Sequence, residues 1–412
     1  MIDYKKFTLK NGLTLLTHRD SSSPIAVLNV LYKVGARDEN PEKTGFAHLF
    51  EHLMFCGSRN VKSFDSELQI VGGENNAFTC NDYTNYYITL PKQNLETALW
   101  LEADRMLSPN ITQQNLDTQR SVVIEEFNQR YLNQPYGDVW LLLRPLAYKI
   151  HPYNWATIGK NVDHIKNATL GDVKNFFDAH YFPSNAIISI VSDIDHEKIY
   201  RLVEKWFGEI PNRQKTDSHI PQEPQQTELR TLTVERDVPL TYLYKAYKMC
   251  NRHNPDYYVC DLLTDILSSG KSSRMYKKLI KNTDLFAGVN AFISGDIDDG
   301  LLIVCANLLP NADLKTAEKA VDDEIEKMCM RKVNKYELDK VKNKIEASQI
   351  YSETSIMNKA MILCYYEMLG NIDLMNLEAD YYQAITASDI MRVAQNVFVD
   401  ERCSTLYYKS LK

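Results

Sequence analysis

The order of structural elements along this 412-residue chain is written twice. Before residue 211, a β-rich run from Ile25 to Val34 leads into a helical pattern from Gly45 to Cys56. Two strands then bracket Asn81-Asp82 (Ala77 to Thr79 and Tyr83 to Leu90), and a helix follows from Leu95 to Met106. After residue 226 the order returns: a strand from Leu240 to Tyr247, helices near Pro255 to Ser268 and Ser273 to Lys281, strands from Ala287 to Ser294 and Gly300 to Leu308, and a helix from Leu314 to Met328. Residue identity between the halves is low, but strand, helix, paired strands, helix in both points to duplication and ties the chain to two units of similar fold. Between them, Pro211 to Gln226 is polar, contains three prolines and has no apolar period, so it reads as an exposed linker. The expected division is an N-terminal domain over 1–212, a linker over 213–226 and a C-terminal domain over 227–412. The class is α+β, with two homologous α/β sandwich-like domains, each a mainly antiparallel sheet packed by helices.

Further elements belong to the first half only. Phe7 to Lys10 and Leu13 to Thr17 flank Asn11-Gly12 and predict a hairpin. Helical patterns run from Thr112 to Leu132 and from Leu170 to His180, and Asn185 to Ser192 reads as a strand.

Composition excludes several function classes. Acidic side chains outnumber basic ones, 54 to 47, and both are spread along the chain, which argues against nucleic acid as a partner. There is no run of about 18 apolar residues, and Met1 to Lys6 lacks the apolar stretch of a secretory signal. No membrane association and a cytoplasmic location are the expectation. The eight cysteines occur singly, without a Cys-x-x-Cys pair, and are expected to be reduced thiols.

The chemistry concentrates in His48-Leu49-Phe50-Glu51-His52. On a helix these two histidines and the glutamate fall within roughly 100° of one another. Phe46, Leu49, Phe50, Leu53 and Met54 occupy the opposite side, giving one apolar face and one chemical face. Two imidazoles one turn apart can hold a single zinc, and a carboxylate beside them on another azimuth can serve as base toward activated water. A catalytic zinc needs a third protein ligand. Glu125 and Glu126 interrupt an apolar stretch of the later helix, and only one of two adjacent helical residues can face a metal. Cys56, four residues past His52, reads as a buried thiol rather than a ligand. His151, His164, His180 and His196 lack partners one turn away and read as structural or exposed.

These residues resemble the pitrilysin/insulinase family of inverted zinc peptidases, near its mitochondrial processing peptidase-like branch. The resemblance covers most of the chain. Asn75-Asn76-Ala77-Phe78-Thr79 with Tyr83 to Tyr87 is similar to the family's substrate-pairing segment. His151-Pro152-Tyr153 with Gly159, and Tyr181-Phe182-Pro183-Ser184-Asn185-Ala186, match further landmarks in the family's order. The resemblance implies a zinc endopeptidase binding one Zn2+ per chain through His48, His52 and Glu126, with Glu51 as general base and Glu125 as a flanking residue. It also implies that Asn76, Ala77, Phe78 and Thr79 receive an extended peptide as an added strand.

Two departures stand out. Gln119 replaces an upstream family glutamate. Ile280 and Ala287 occupy positions where family enzymes carry an arginine and a tyrosine that contact substrate. In two-subunit members one chain carries the zinc motif and a homologous chain the arginine and tyrosine. The resemblance therefore implies the catalytic half of a heterodimer, or else a homodimer, acting on short or unfolded peptides in a chamber. The rival reading is a noncatalytic scaffold or binding subunit.

Overall fold

The computed structural model describes residues 1–214, 220–295 and 297–411. The first sheet has six strands: β1 (Lys5–Thr8), β2 (Thr14–Arg19), β3 (Ile25–Tyr32), β4 (Glu74–Thr79), β5 (Thr84–Pro91) and β6 (Ala186–Ser192). Their order is β1-β2-β6-β3-β5-β4, antiparallel except for β2 against β6. The second sheet has five: β7 (Arg230–Arg236), β8 (Tyr242–Lys248), β9 (Phe286–Ser294), β10 (Leu301–Leu308) and β11 (Cys403–Ser410). Their order is β7-β11-β8-β10-β9, antiparallel except for β7 against β11.

With β1 set aside, the two orders correspond position by position, and the single parallel pair falls at the same place in each. The repeated order read from sequence is thus a repeated topology. The central strand β6, Ala-Ile-Ile-Ser-Ile-Val-Ser, is buried along its whole length, as a strand covered on both faces must be.

The chain forms two compact units that exchange segments. The first holds 1–129, 155–221 and 350–376; the second holds 130–154, 222–349 and 377–412. A single cut between the sequence halves therefore does not describe either body. The physical reason is that each sheet has two faces to bury. In the first unit the helix Ile356–Met368 lies on β3 and β6, with Ala360, Leu363 and Cys364 buried. The approach is close enough for the Ser189 hydroxyl to donate to the Ala360 carbonyl at 2.6 Å. In the second unit the helix Val139–Ala147 presents Val139, Leu143 and Ala147, four residues apart, to a cluster with Val238, Ala246, Ile303, Leu406 and Tyr408. Each of these helices comes from the other half of the sequence.

The segment 213–226 also differs from a free linker where it is seen; residues 215–219 lie outside the described residues. The Glu223 carboxylate accepts from the backbone N–H groups of Lys149, Ile150 and His151 at 2.8–3.0 Å, and the Gln226 amide, buried, donates to the Cys403 carbonyl at 2.6 Å. Backbone contacts of this kind, charge-assisted at Glu223, anchor a segment of polar sequence. The expected Thr112–Leu132 helix is α-helical over Gln113–Phe127 and ends in a π turn at Asn128–Leu132. The Ser273–Lys281 pattern closes as a π turn over Tyr276–Ile280. Among the described residues, no helix is long and apolar enough to cross a membrane.

Because the helix at 139–147 packs in the second unit, Leu143→Ala is expected to cost about 2–5 kcal/mol, as for other buried leucines. Hydrogen exchange should then rise in β7, β8 and β11, while β2, β3 and β6 keep their protection.

Candidate metal centre

The helix Phe46–Leu53 begins at Gly45, whose φ of +88° suits glycine. A Cβ there would lie 2.5 Å from the Ile158 carbonyl oxygen. The first turn is held by a side chain from further back along the chain. Glu39, fully buried, accepts from the Gly45 and Ala47 N–H groups at 2.8 Å each and from the Trp155 indole N–H at 3.1 Å. Phe46, Ala47, Leu49, Phe50 and Leu53 are buried, as the sequence pattern required, and Phe50 packs on Phe176, Phe177 and Tyr181. That packing fixes the azimuth of the helix and turns His48, Glu51 and His52 to the other side.

The His48 and His52 rings sit 4.8 Å apart between centroids, inclined at 73°. Between them comes Glu126 from the helix Gln113–Phe127, its Oε2 3.7 Å from His48 Nε2 and 3.4 Å from His52 Nε2. Ligand-capable atoms of all three residues lie within 4.8 Å of one another. Tetrahedral bonds of about 2.0–2.1 Å place neighbouring ligand atoms roughly 3.3 Å apart, so the set fits a zinc with small adjustments. Its electrostatics agree. Burial opposes a charge on His52, but the hydrogen bond and charge of Glu126, with the charge of Glu51, outweigh it and hold the His52 pKa above its ordinary value. The space between the rings favours positive charge.

Glu125 is exposed and accepts from the Gln129 amide at 3.2 Å, so of the two adjacent acids Glu126 is the one that meets the imidazoles. Gln119, one helical stretch before Glu126, contacts His52 and donates to Cys56 Sγ at 3.4 Å. Burial raises the Cys56 pKa, which keeps this sulfur a thiol. Among the other histidines, His164 Nδ1 accepts from the Thr44 N–H at 3.0 Å, and His196 shares a hydrogen bond with the Thr17 hydroxyl at 2.7 Å.

Asn76, Ala77, Phe78 and Thr79 all lie on β4, the edge strand of the first sheet. The pleat divides them: Thr79 and Ala77 share one face, Asn76 and Phe78 the other. The Ala77 N–H is met by the adjacent Asn76 side-chain oxygen at 2.8 Å. The Thr79 hydroxyl donates to Glu51 Oε2 at 2.6 Å, a contact that sequence reasoning did not anticipate. The Glu39 cap was missed as well. A pattern of alternating strand residues marks neither.

Sequence comparison decides the family. The model described as Insulinase (Peptidase family M16) matches residues 14–157, and that described as Peptidase M16 inactive domain matches 167–345. The chain is 31% identical over 412 residues to the zinc protease PqqE of Helicobacter pylori, covering 98% of this chain and 93% of that one. The chain belongs to peptidase family M16. A crystal structure of a protease from Helicobacter pylori superposes on this M16 chain with a TM-score of 0.93 at 31% identity, covering 99% of it and 100% of that structure. A probable mitochondrial-processing peptidase subunit beta of Arabidopsis thaliana is 25% identical, over 96% of the M16 chain and 76% of the plant protein. The three converging side chains all fall in the part matched by the insulinase model. Among the described residues they form the one His/Cys/Asp/Glu group close enough to hold a metal ion, and the second half contributes none.

The Glu39 cap carries a pH signature. Burial pushes its carboxyl up to about 8 from 4.5, against the pull of the Ala47, Gly45 and Trp155 donors. A raised folded-state pKa means that the folded chain binds the proton more tightly. Glu39's contribution should be fully present below about 4.5 and be lost as pH rises through about 8. Glu39→Gln, which cannot ionise, is expected to flatten that part of the stability–pH curve in denaturant titrations. Glu39→Ala should cost about 2 kcal/mol or more at every pH by orphaning buried N–H groups.

Proposed function

We propose that this chain is a zinc-dependent endopeptidase and the catalytic subunit of a two-subunit enzyme. The observation that carries the reading is the convergence of His48, His52 and Glu126, with the carboxylate of Glu51 on the same helix as the two histidines. His48, His52 and Glu126 would hold one zinc per chain. When bound, the metal polarises the scissile carbonyl and makes water more acidic. Glu51 takes the proton from the attacking water and later delivers it to the leaving amine.

The unpaired side of β4 supports binding of an extended peptide along Asn76, Ala77, Phe78 and Thr79, with backbone pairing supplying affinity and little demand on sequence. Short or unfolded peptides are the substrates such a strand can accept inside a chamber. Ile280 and Ala287 offer neither the cation nor the phenol expected of a complete M16 site. We assign those groups to a homologous partner subunit, with a homodimer as the alternative. The catalytic role falls to the N-terminal part, 1–212, and the part from 227 to 412 is its zinc-free counterpart. The reading includes a cytoplasmic location, with the eight cysteines as reduced thiols.

A noncatalytic binding subunit is the competing reading, favoured by the match of residues 167–345 to an inactive domain. Retention of the complete ligand set and Glu51 weighs against it. Metal analysis separates the two, since a catalytic chain should carry zinc in one-to-one ratio. Glu51→Gln should keep that zinc while peptide hydrolysis falls by at least about a hundredfold. A variant that still cleaves would refute the role given to Glu51. The isolated chain is expected to cleave quenched fluorescent peptides poorly and to gain activity when the homologous subunit is added; full activity alone would refute the two-subunit reading.

A further inference from the structure

The hairpin formed by β4 and β5 closes on a pair of threonines, Thr79 opposite Thr84. Each hydroxyl has one proton to give and lone pairs to receive. The Thr84 proton is committed, since its hydroxyl donates to the Val34 carbonyl at 2.9 Å, and Thr84 is fully buried. Toward Thr79, 3.5 Å away, Thr84 can therefore only accept. The Thr79 proton has two takers, and they are unequal: Glu51 Oε2 at 2.6 Å and the Thr84 oxygen at 3.5 Å. The shorter distance lies in the range of hydrogen bonds between a hydroxyl and a charged carboxylate. Behind the pair, Tyr181 touches Thr84 and shares a hydrogen bond with Tyr86 at 3.1 Å.

We propose that Thr79 is a positioning residue for the general base: its hydroxyl, donated to Glu51 in preference to the more distant Thr84 oxygen, fixes the carboxylate that works on water. The inference rests on the role of Glu51 proposed above, and it moves the side chain of Thr79 from substrate contact to base alignment. The Thr79 backbone remains on the unpaired edge of β4, so one residue joins the strand that receives the peptide to the helix that carries the base. A carboxylate has no internal preference between its two oxygens, and a side chain on a helix has rotamer freedom to lose. A fixed donor from a neighbouring strand removes both uncertainties before substrate arrives.

The test uses the full chain, with its homologous subunit where activity requires one. Thr79→Val keeps the shape and the β-branched backbone preference but removes the donor. Zinc content and the dissociation constant of an uncleavable peptide, measured by fluorescence anisotropy, should stay at the wild-type values. The kcat should fall about ten- to a hundredfold, the loss expected for one hydrogen bond to a charged group. Thr79→Ser, which restores the hydroxyl, should recover most of it. In a Glu51→Gln background, adding Thr79→Val should leave peptide affinity and zinc unchanged. A Thr79→Val enzyme with wild-type kcat overturns the proposal while leaving the role of Glu51 standing. Weakened peptide binding at unchanged kcat overturns it in favour of substrate contact, and loss of zinc overturns it in favour of a purely structural role. If Glu51→Gln itself retains activity, the parent reading fails first and takes this one with it.

Discussion

A buried carboxylate sets the position of everything else at the site. Glu39 sits where a charged group is costly, and it is held there by two N–H groups from the first turn of the helix Phe46–Leu53 and by the Trp155 indole. Helix N-termini leave donors unsatisfied and a buried carboxyl group needs donors, so each side of this contact relieves a problem of the other. The result fixes the start and the axial register of the helix, and the contacts of Phe50 with Phe176, Phe177 and Tyr181 fix its rotation. With both set, His48 and His52 have no freedom except in their own rotamers, and Glu126 needs only to arrive from the helix alongside.

The two units use one topology for different purposes. The first places the helix with His48, Glu51 and His52 against the sheet whose edge strand is β4. In the second, the corresponding edge strand is β9, and the helix Asp256–Ser268 fills the corresponding place in the element order with buried apolar residues such as Val259, Leu262, Leu263 and Ile266. The chemical face has been given over to packing. A duplicated scaffold of this kind can carry converging polar side chains in one unit and apolar packing in the other, because the backbone of each is held by its sheet.

How much of this could be read in the sequence depended on distance along the chain. The helix at 46–53 and its two faces were legible because its chemistry and its packing both repeat every turn. The strands and the repeated order were legible because turn signals and alternation are local. The choice between Glu125 and Glu126 was not settled by spacing alone, since both stand on the same helix and only the neighbour it packs against tells them apart. The segment exchange was hidden for a similar reason: Val139, Leu143 and Ala147 announce a buried stripe without naming the sheet that buries it. Glu39 and the Thr79–Glu51 contact were hidden because they join a helix to residues outside it, where no period exists. The end of the 213–226 segment looked polar, and it is; its Glu223 and Gln226 are polar because they bond backbone groups.

The exchanged helices also bear on how the protein comes into being. On the ribosome, β1 to β6 and the whole of His48-Leu49-Phe50-Glu51-His52 are synthesised long before residues 356–368 emerge. Until then one face of the first sheet, with Ser189 at its centre, lacks the helix that covers it. The unit that carries His48, His52 and Glu126 is thus the first to be made and among the last to be finished. A nascent chain stalled in its second half would display an open sheet face and call for a chaperone.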